Sequence, residues 1–148
     1  MSKILVTGGT GFIGSHTVVE LYNAGFEVVI VDNLSNSNPK ILKQIETITG
    51  IQPEFVNLDL CDEAAVSAFV SQHTDISGVI HFAAFKAVGE SVQQPLKYYR
   101  NNFYSLINLI NVFNSSVKFV FPSSCTVYGQ PDILPVTEEA PSKKAESP

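Results

Sequence analysis

Lys3-Ile4-Leu5-Val6-Thr7-Gly8-Gly9-Thr10-Gly11-Phe12-Ile13-Gly14 is the stretch that decides the fold. A short β-branched run passes directly into a glycine-rich turn, and residues 13–23 read as a helix closed by Ala24-Gly25. A second apolar strand, residues 28–31, is closed by Asp32. Two strands joined through one helix imply parallel pairing with a right-handed crossover. Gly25 sits where a helix favours a left-handed residue. Gly9, Gly11 and Gly14 satisfy GxGxxG, and Gly8, Gly11 and Gly14 also satisfy GxxGxxG. Glycines in such a turn let the backbone turn tightly and approach a pyrophosphate, and the helix that follows offers free N–H groups to an anion. The stretch therefore reads as half of a dinucleotide site.

The alternation continues outward. Residues 33–39 are rich in turn formers; a helix is expected over 39–48, a strand over 54–58, and a helix over 63–73 with Asp62 as N-cap. The apolar face of that helix is Ala65, Val66, Phe69 and Val70. A strand over 79–82 precedes a long helix opened by Pro95 and running to 114. In it Leu96, Tyr99, Phe103, Leu106, Ile107, Ile110 and Phe113 recur on one broad face. A fifth strand is expected over 118–121, and from Gly129 onward the text is loop-like. The fold class is α/β, a doubly wound parallel sheet of the Rossmann type. It reads as one domain over 1–148, incomplete after the fifth strand and without a second domain.

At 148 residues, 45% apolar and 16% charged, the composition is that of an ordinary globular chain able to bury a core. The N-terminal apolar run breaks at Thr7-Gly8-Gly9, too early for a signal peptide, and no run approaches bilayer length, so no membrane partner and a cytoplasmic location are expected. Cys61 and Cys125 lack metal-ligand spacing, which argues for core or loop cysteines in a reducing compartment. A net charge of −5 without a basic cluster argues against nucleic acid.

Four stretches carry a family resemblance: residues 7–16, 31–37, 81–91 (His-Phe-Ala-Ala-Phe-Lys-Ala-Val-Gly-Glu-Ser) and 123–129 (Ser-Ser-Cys-Thr-Val-Tyr-Gly). Together they resemble the extended short-chain dehydrogenase/reductases and, within them, the UDP-glucose 4-epimerases. The resemblance implies NAD as cofactor, a UDP-sugar substrate and a usually homodimeric assembly. It places cofactor contacts on the turn at Gly8, Gly11, Phe12, Ile13 and Gly14, and on Asp32, Asn33, Leu34, Ser35, Asn36 and Ser37. Further contacts fall on Asp59 and Leu60, on Phe82, Ala83, Ala84, Phe85 and Lys86, and on Asn101. Ser124 matches the catalytic serine.

Each position also has its own chemistry. A carboxylate at 32 can accept from both ribose hydroxyls and would repel a 2′-phosphate, and residues 33–38 contain no cation, so NAD is favoured over NADP. Satisfying a turn N–H is the competing role for Asp32. Asp59 reads either as a contact to adenine or as a local turn before Asp62. Lys86 reads either as a ligand-side lysine or as an exposed loop residue. His81, inside an apolar strand, reads as a packed, hydrogen-bonded histidine, and His16 and His73 as helix residues. Tyr128 is read as packing in its turn.

Ser124 stands at the carboxyl end of the fifth strand, where an active-site hydroxyl belongs in such sheets. Related sugar-nucleotide dehydratases carry an Asp-Glu pair where this chain has Cys125-Thr126, so the resemblance points to epimerisation rather than water elimination. In the family a Ser-Pro-Tyr-x-x-x-Lys segment supplies the base. Its tyrosine takes the proton from the sugar 4-hydroxyl as hydride leaves C4 for NAD, and its lysine lowers the phenol's pKa. Here the text stops at Ser147-Pro148, so the isolated chain is expected to be inactive. Pro122, Cys125 and Phe103-Tyr104 depart from the family pattern. Another NAD-dependent sugar-nucleotide epimerase or decarboxylase, and a standalone NAD-binding module, are the alternatives.

Overall fold

The computed structural model describes residues 2–143; Ser147 and Pro148 lie outside them, and so does the side chain of Cys125. In chain order come β1 (Lys3–Thr7), α1 (Phe12–Asn23), β2 (Glu27–Asp32), α2 (Lys40–Thr49) and β3 (Glu54–Asn57). These are followed by α3 (Glu63–Gln72), β4 (Ile76–His81), α4 (Val88–Gln93), α5 (Pro95–Val112) and β5 (Lys118–Val120), and then by a single 3₁₀ turn, Cys125–Tyr128. The strands form one parallel sheet in the order β3-β2-β1-β4-β5. Successive strands are added to one side of β1 up to β3 and to the other side from β4 on, and at such a switch in strand order the carboxyl ends of a doubly wound sheet leave a crevice.

Local chemistry accounts for the element ends. Gly25, at φ +83°, closes α1: its N–H bonds Tyr22 O at 3.0 Å, and that of Phe26 bonds Leu21 O at 3.0 Å, the paired pattern of a Schellman cap. Asp62 caps α3 by accepting the Ala65 N–H at 3.0 Å. One sheet face packs Val6, Val28 and Ile30 under Val18 of α1 and Ile45 of α2. The other packs Leu5, Val29, Val31 and Val79 under Val66 and Phe69 of α3 and Leu109 of α5. The middle strands, buried on both faces, need the continuous apolar runs the sequence provides.

Three features lie beyond what the sequence reading specified. First, α5 does not turn its apolar stripe to the sheet. Leu96, Tyr99, Phe103, Ile107 and Ile110 are exposed and Leu106 and Phe113 half-buried, while Tyr98, Ser105, Asn108 and Leu109 are buried. The buried face is polar because it covers loops whose backbone groups need partners: Asn108 Nδ2 donates to Leu60 O at 2.9 Å. Second, α4 was not anticipated. It is a short helix tied to α5 through Glu90, which accepts from Lys97 Nζ at 2.6 Å and from the Tyr98 hydroxyl at 2.7 Å. Third, β4 spans Ile76–His81, starting three residues before the expected strand over 79–82. At the β5 edge Val120 and Phe121 are exposed.

Candidate functional site

A crevice of about 470 Å³ lies along the carboxyl ends of β1, β2 and β4. Its middle is the turn after β1. Gly8, at φ +68°, passes so close to the segment after β4 that a Cβ would sit 2.7 Å from Ala83 N. A Cβ on Gly14 would sit 2.2 Å from Gly8 O. Only glycine permits both approaches, and the cradle they leave is one that side chains would fill. α1 is N-capped by Gly11, with no side-chain cap and no acidic residue in its first turn, so its positive end faces the crevice without a capping side chain. Phe12 and Ile13, large and exposed, form the lip.

At the β2 end stands Asp32, 7% exposed. Its Oδ2 accepts the Thr10 N–H at 3.2 Å, and its Oδ1 accepts the Leu34 N–H at 2.9 Å and the Ser37 hydroxyl at 3.2 Å. Ser37 Oγ also lies 2.7 Å from Thr10 Oγ1, closing the loop onto the glycine turn. The turn role and an opening to the crevice thus coexist: a carboxylate has about four acceptor positions, and three are occupied. Leu34 takes a positive φ of 58° here. Asp59 likewise does two things, accepting the Cys61 N–H at 2.9 Å in a local turn and lining the crevice.

The β4 end is built by the 82–86 segment. Asn102 of α5 clamps it, accepting the Phe85 N–H at 2.8 Å and donating to Phe85 O at 3.1 Å. Asn101 Nδ2 donates to the same Asn102 oxygen at 3.0 Å. Tyr98 packs on Phe85 with ring centroids 5.5 Å apart. Lys86 is exposed at the rim. His81 lines the floor beside Phe121, held well below the ordinary histidine range, at about 4, by burial.

The crevice brings together Gly8, Gly11, Phe12, Ile13, Gly14, Asp32, Asn33, Ser35, Asn36, Asp59, Leu60, the whole 82–86 segment and Asn101. It leaves out Leu34, Ser37 and Ser124. Leu34 and Ser37 stand behind Asp32 as its donors. Ser124 follows the lining residue Ser123, and its Oγ caps the 3₁₀ turn, accepting from Thr126 Oγ1 at 3.0 Å and from Thr126 N at 3.4 Å. Tyr128 lies apart from the crevice, in a shallow hollow with Gly129 and Pro131. Cys61 is half-buried with Sγ 3.6 Å from Asn101 O, and burial pushes its thiol up. Sequence reasoning missed Asn102 and Ser105, which also line the site. The polar series Asn101, Asn102, Ser105 and Asn108, spaced as one helix face, was the available signal.

The sequence pattern of the NAD dependent epimerase/dehydratase family matches residues 4–148. The chain is 51% identical over 138 residues to the UDP-glucose 4-epimerase of Haemophilus influenzae, covering 92% of this chain and 40% of that protein. It superposes with TM-score 0.89 on the Bifidobacterium longum UDP-glucose 4-epimerase solved with NAD⁺ and UDP, at 48% identity over 96% of this chain and 43% of that one. The Stenotrophomonas maltophila UDP-glucose-4-epimerase, solved with NAD and formylated UDP-arabinopyranose, gives 0.88 at 43% identity, covering 97% and 43%. The chain thus spans about two-fifths of the length of the curated relatives it matches.

Proposed function

The chain belongs to the NAD dependent epimerase/dehydratase family, and from that premise we propose that its crevice binds NAD as the cofactor-holding portion of a UDP-glucose 4-epimerase, an enzyme that interconverts UDP-glucose and UDP-galactose. The observation that carries the reading is the crevice itself, in which the glycine cradle, a bare helix N-terminus and the Asp32 carboxylate line up along the switch between β1 and β4. The cradle fits a pyrophosphate, and Asp32 with the 33–36 loop fits an unphosphorylated ribose. The 82–86 segment and Asn101 fit the nicotinamide half. When bound, NAD supplies a hydride acceptor and donor for the sugar's C4.

The residues of this chain divide the remaining work. Ser124 Oγ accepts twice from Thr126, so its own proton is available to a ligand oxygen, and the sugar 4-oxygen is the natural taker. Lys86 at the rim presents a cation to the sugar nucleotide. The crevice carboxylates, Asp32 and Asp59, both follow the β2–β3 side. The β5 end therefore offers no carboxylate among its described lining residues, which favours epimerisation over water elimination. The exposed apolar stripe of α5 fits the homodimer usual in the family. Thermal melts test the reading: NAD raises the midpoint of the 148-residue chain by mass action, and an unmoved midpoint at saturating NAD contradicts it.

A further inference from the structure

Thr7 and His81 stand opposite each other on β1 and β4, where the sheet divides. Both are sealed, Thr7 at 0% and His81 at 4% exposure. The Thr7 hydroxyl oxygen has two partners among the described residues, His81 Nδ1 at 2.7 Å and the Ala83 N–H at 3.4 Å. The amide can only donate, so the hydroxyl proton has one acceptor within reach, Nδ1 of His81. If His81 donated from Nδ1 instead, a buried hydroxyl proton would be stranded. His81 is therefore neutral, with its proton on Nε2, and its burial favours the same state. The ring is clamped by Phe121, stacked at 5.9 Å, and by Phe119, tilted at 6.4 Å. Thr7 also accepts the Phe82 N–H on its carbonyl at 3.0 Å. One residue thus holds both amides of the Phe82–Ala83 step, the step against which Gly8 is pressed.

We propose that His81 is a positioning residue of the crevice: fixed as the Nε2–H tautomer, it accepts the hydrogen bond of the Thr7 hydroxyl at Nδ1, turns that oxygen toward the Ala83 amide and so sets the Phe82–Ala83 step on which the dinucleotide rests. The last clause rests on the NAD reading; the tautomer does not. A packing role alone would need only the ring, whereas this role needs an acceptor at Nδ1 and a hydroxyl at position 7.

The experiment combines ¹⁵N-histidine spectra of the full 148-residue chain with NAD titrations of five variants. The signal lost in His81→Gln should carry the Nε2–H signature and hold it from about pH 8 to about pH 5. His81→Phe and Thr7→Val should each raise the Kd for NAD about ten-fold. Glutamine, which offers an acceptor, and Thr7→Ser, which keeps the hydroxyl, should recover most of that loss. The double variant His81→Phe/Thr7→Val should bind no worse than either single, since both remove one bond. An Nδ1–H signature, or His81→Phe and Thr7→Val chains that bind like wild type, would overturn the proposal. A wild-type chain that binds no NAD would overturn the function reading instead, and the tautomer would then decide the positioning role alone.

Discussion

The backbone of Gly8 runs so close to Ala83 that a Cβ on Gly8 would lie 2.7 Å from the Ala83 nitrogen. This contact joins the turn after β1 to the segment after β4, both of which line the crevice. Gly8→Ala must therefore push the two segments apart as well as strain a positive φ. It is expected to abolish measurable NAD binding and to cost a few kcal/mol of stability. Gly25→Ala, also at positive φ but facing open space, should cost only about 1–2 kcal/mol and leave binding intact. Urea melts and NAD titrations of both variants check the contrast.

Asp32 serves its loop and the crevice at once. Asp32→Ala removes three protein hydrogen bonds as well as the proposed ribose acceptor, and should weaken NAD binding by about 1.5–3 kcal/mol. Asp32→Asn keeps the size and one acceptor but drops the charge, and should reduce the preference for NAD over NADP. Affinities of both variants for both dinucleotides test this; unchanged values would confine Asp32 to its turn.

His81 makes stability depend on pH. The folded imidazole stays neutral down to about 4, whereas an unfolded histidine takes up its proton near pH 6.5. Between those values the unfolded chain binds more protons, so stability falls as pH drops. The contribution is full above about pH 6.5 and declines by up to about 3 kcal/mol toward pH 4. Urea unfolding of wild type and His81→Gln should converge with acid over that window; parallel curves would refute the shift.

The alternation of strands and helices was legible because each end carries its own chemical mark: the Gly25 cap, the Asp62 cap, the glycine turn. The orientation of α5 was not. An apolar stripe ordinarily marks the core side, but here the sheet side of α5 sits over the loops after β3 and β4, and Asn102 and Asn108 bond the Phe85 and Leu60 backbones. Composition cannot tell such a polar inner face from a solvated one. The crevice residues were readable where a motif fixes backbone geometry. Ser124 was harder to place because its hydroxyl is engaged locally, by Thr126.

The outward stripe of α5 should make the chain self-associate. Leu96, Tyr99, Phe103, Ile107 and Ile110 form one exposed row, and apolar patches of that kind mark interaction surfaces. Light scattering should show species larger than a monomer that bind a hydrophobic dye. Phe103→Glu with Ile107→Lys should suppress both without lowering the unfolding midpoint much. A monomeric, dye-silent wild type would contradict the expectation.

Ser124 has a proton to offer but no base beside it among the described residues. A coupled assay should therefore find no useful interconversion of UDP-glucose and UDP-galactose by the 148-residue chain alone. Robust turnover, lost in Ser124→Ala, would mean that another residue supplies the base.

The central claim is that this crevice is built for NAD, and calorimetric titration of the chain with NAD⁺ and NADP⁺ side by side tests it most directly. The account predicts saturable binding of NAD⁺ and weaker binding of NADP⁺, because the 2′-phosphate would meet the Asp32 carboxylate and a 33–38 loop that contains no cation. An absence of NAD⁺ binding, or NADP⁺ binding as tight or tighter, would contradict it.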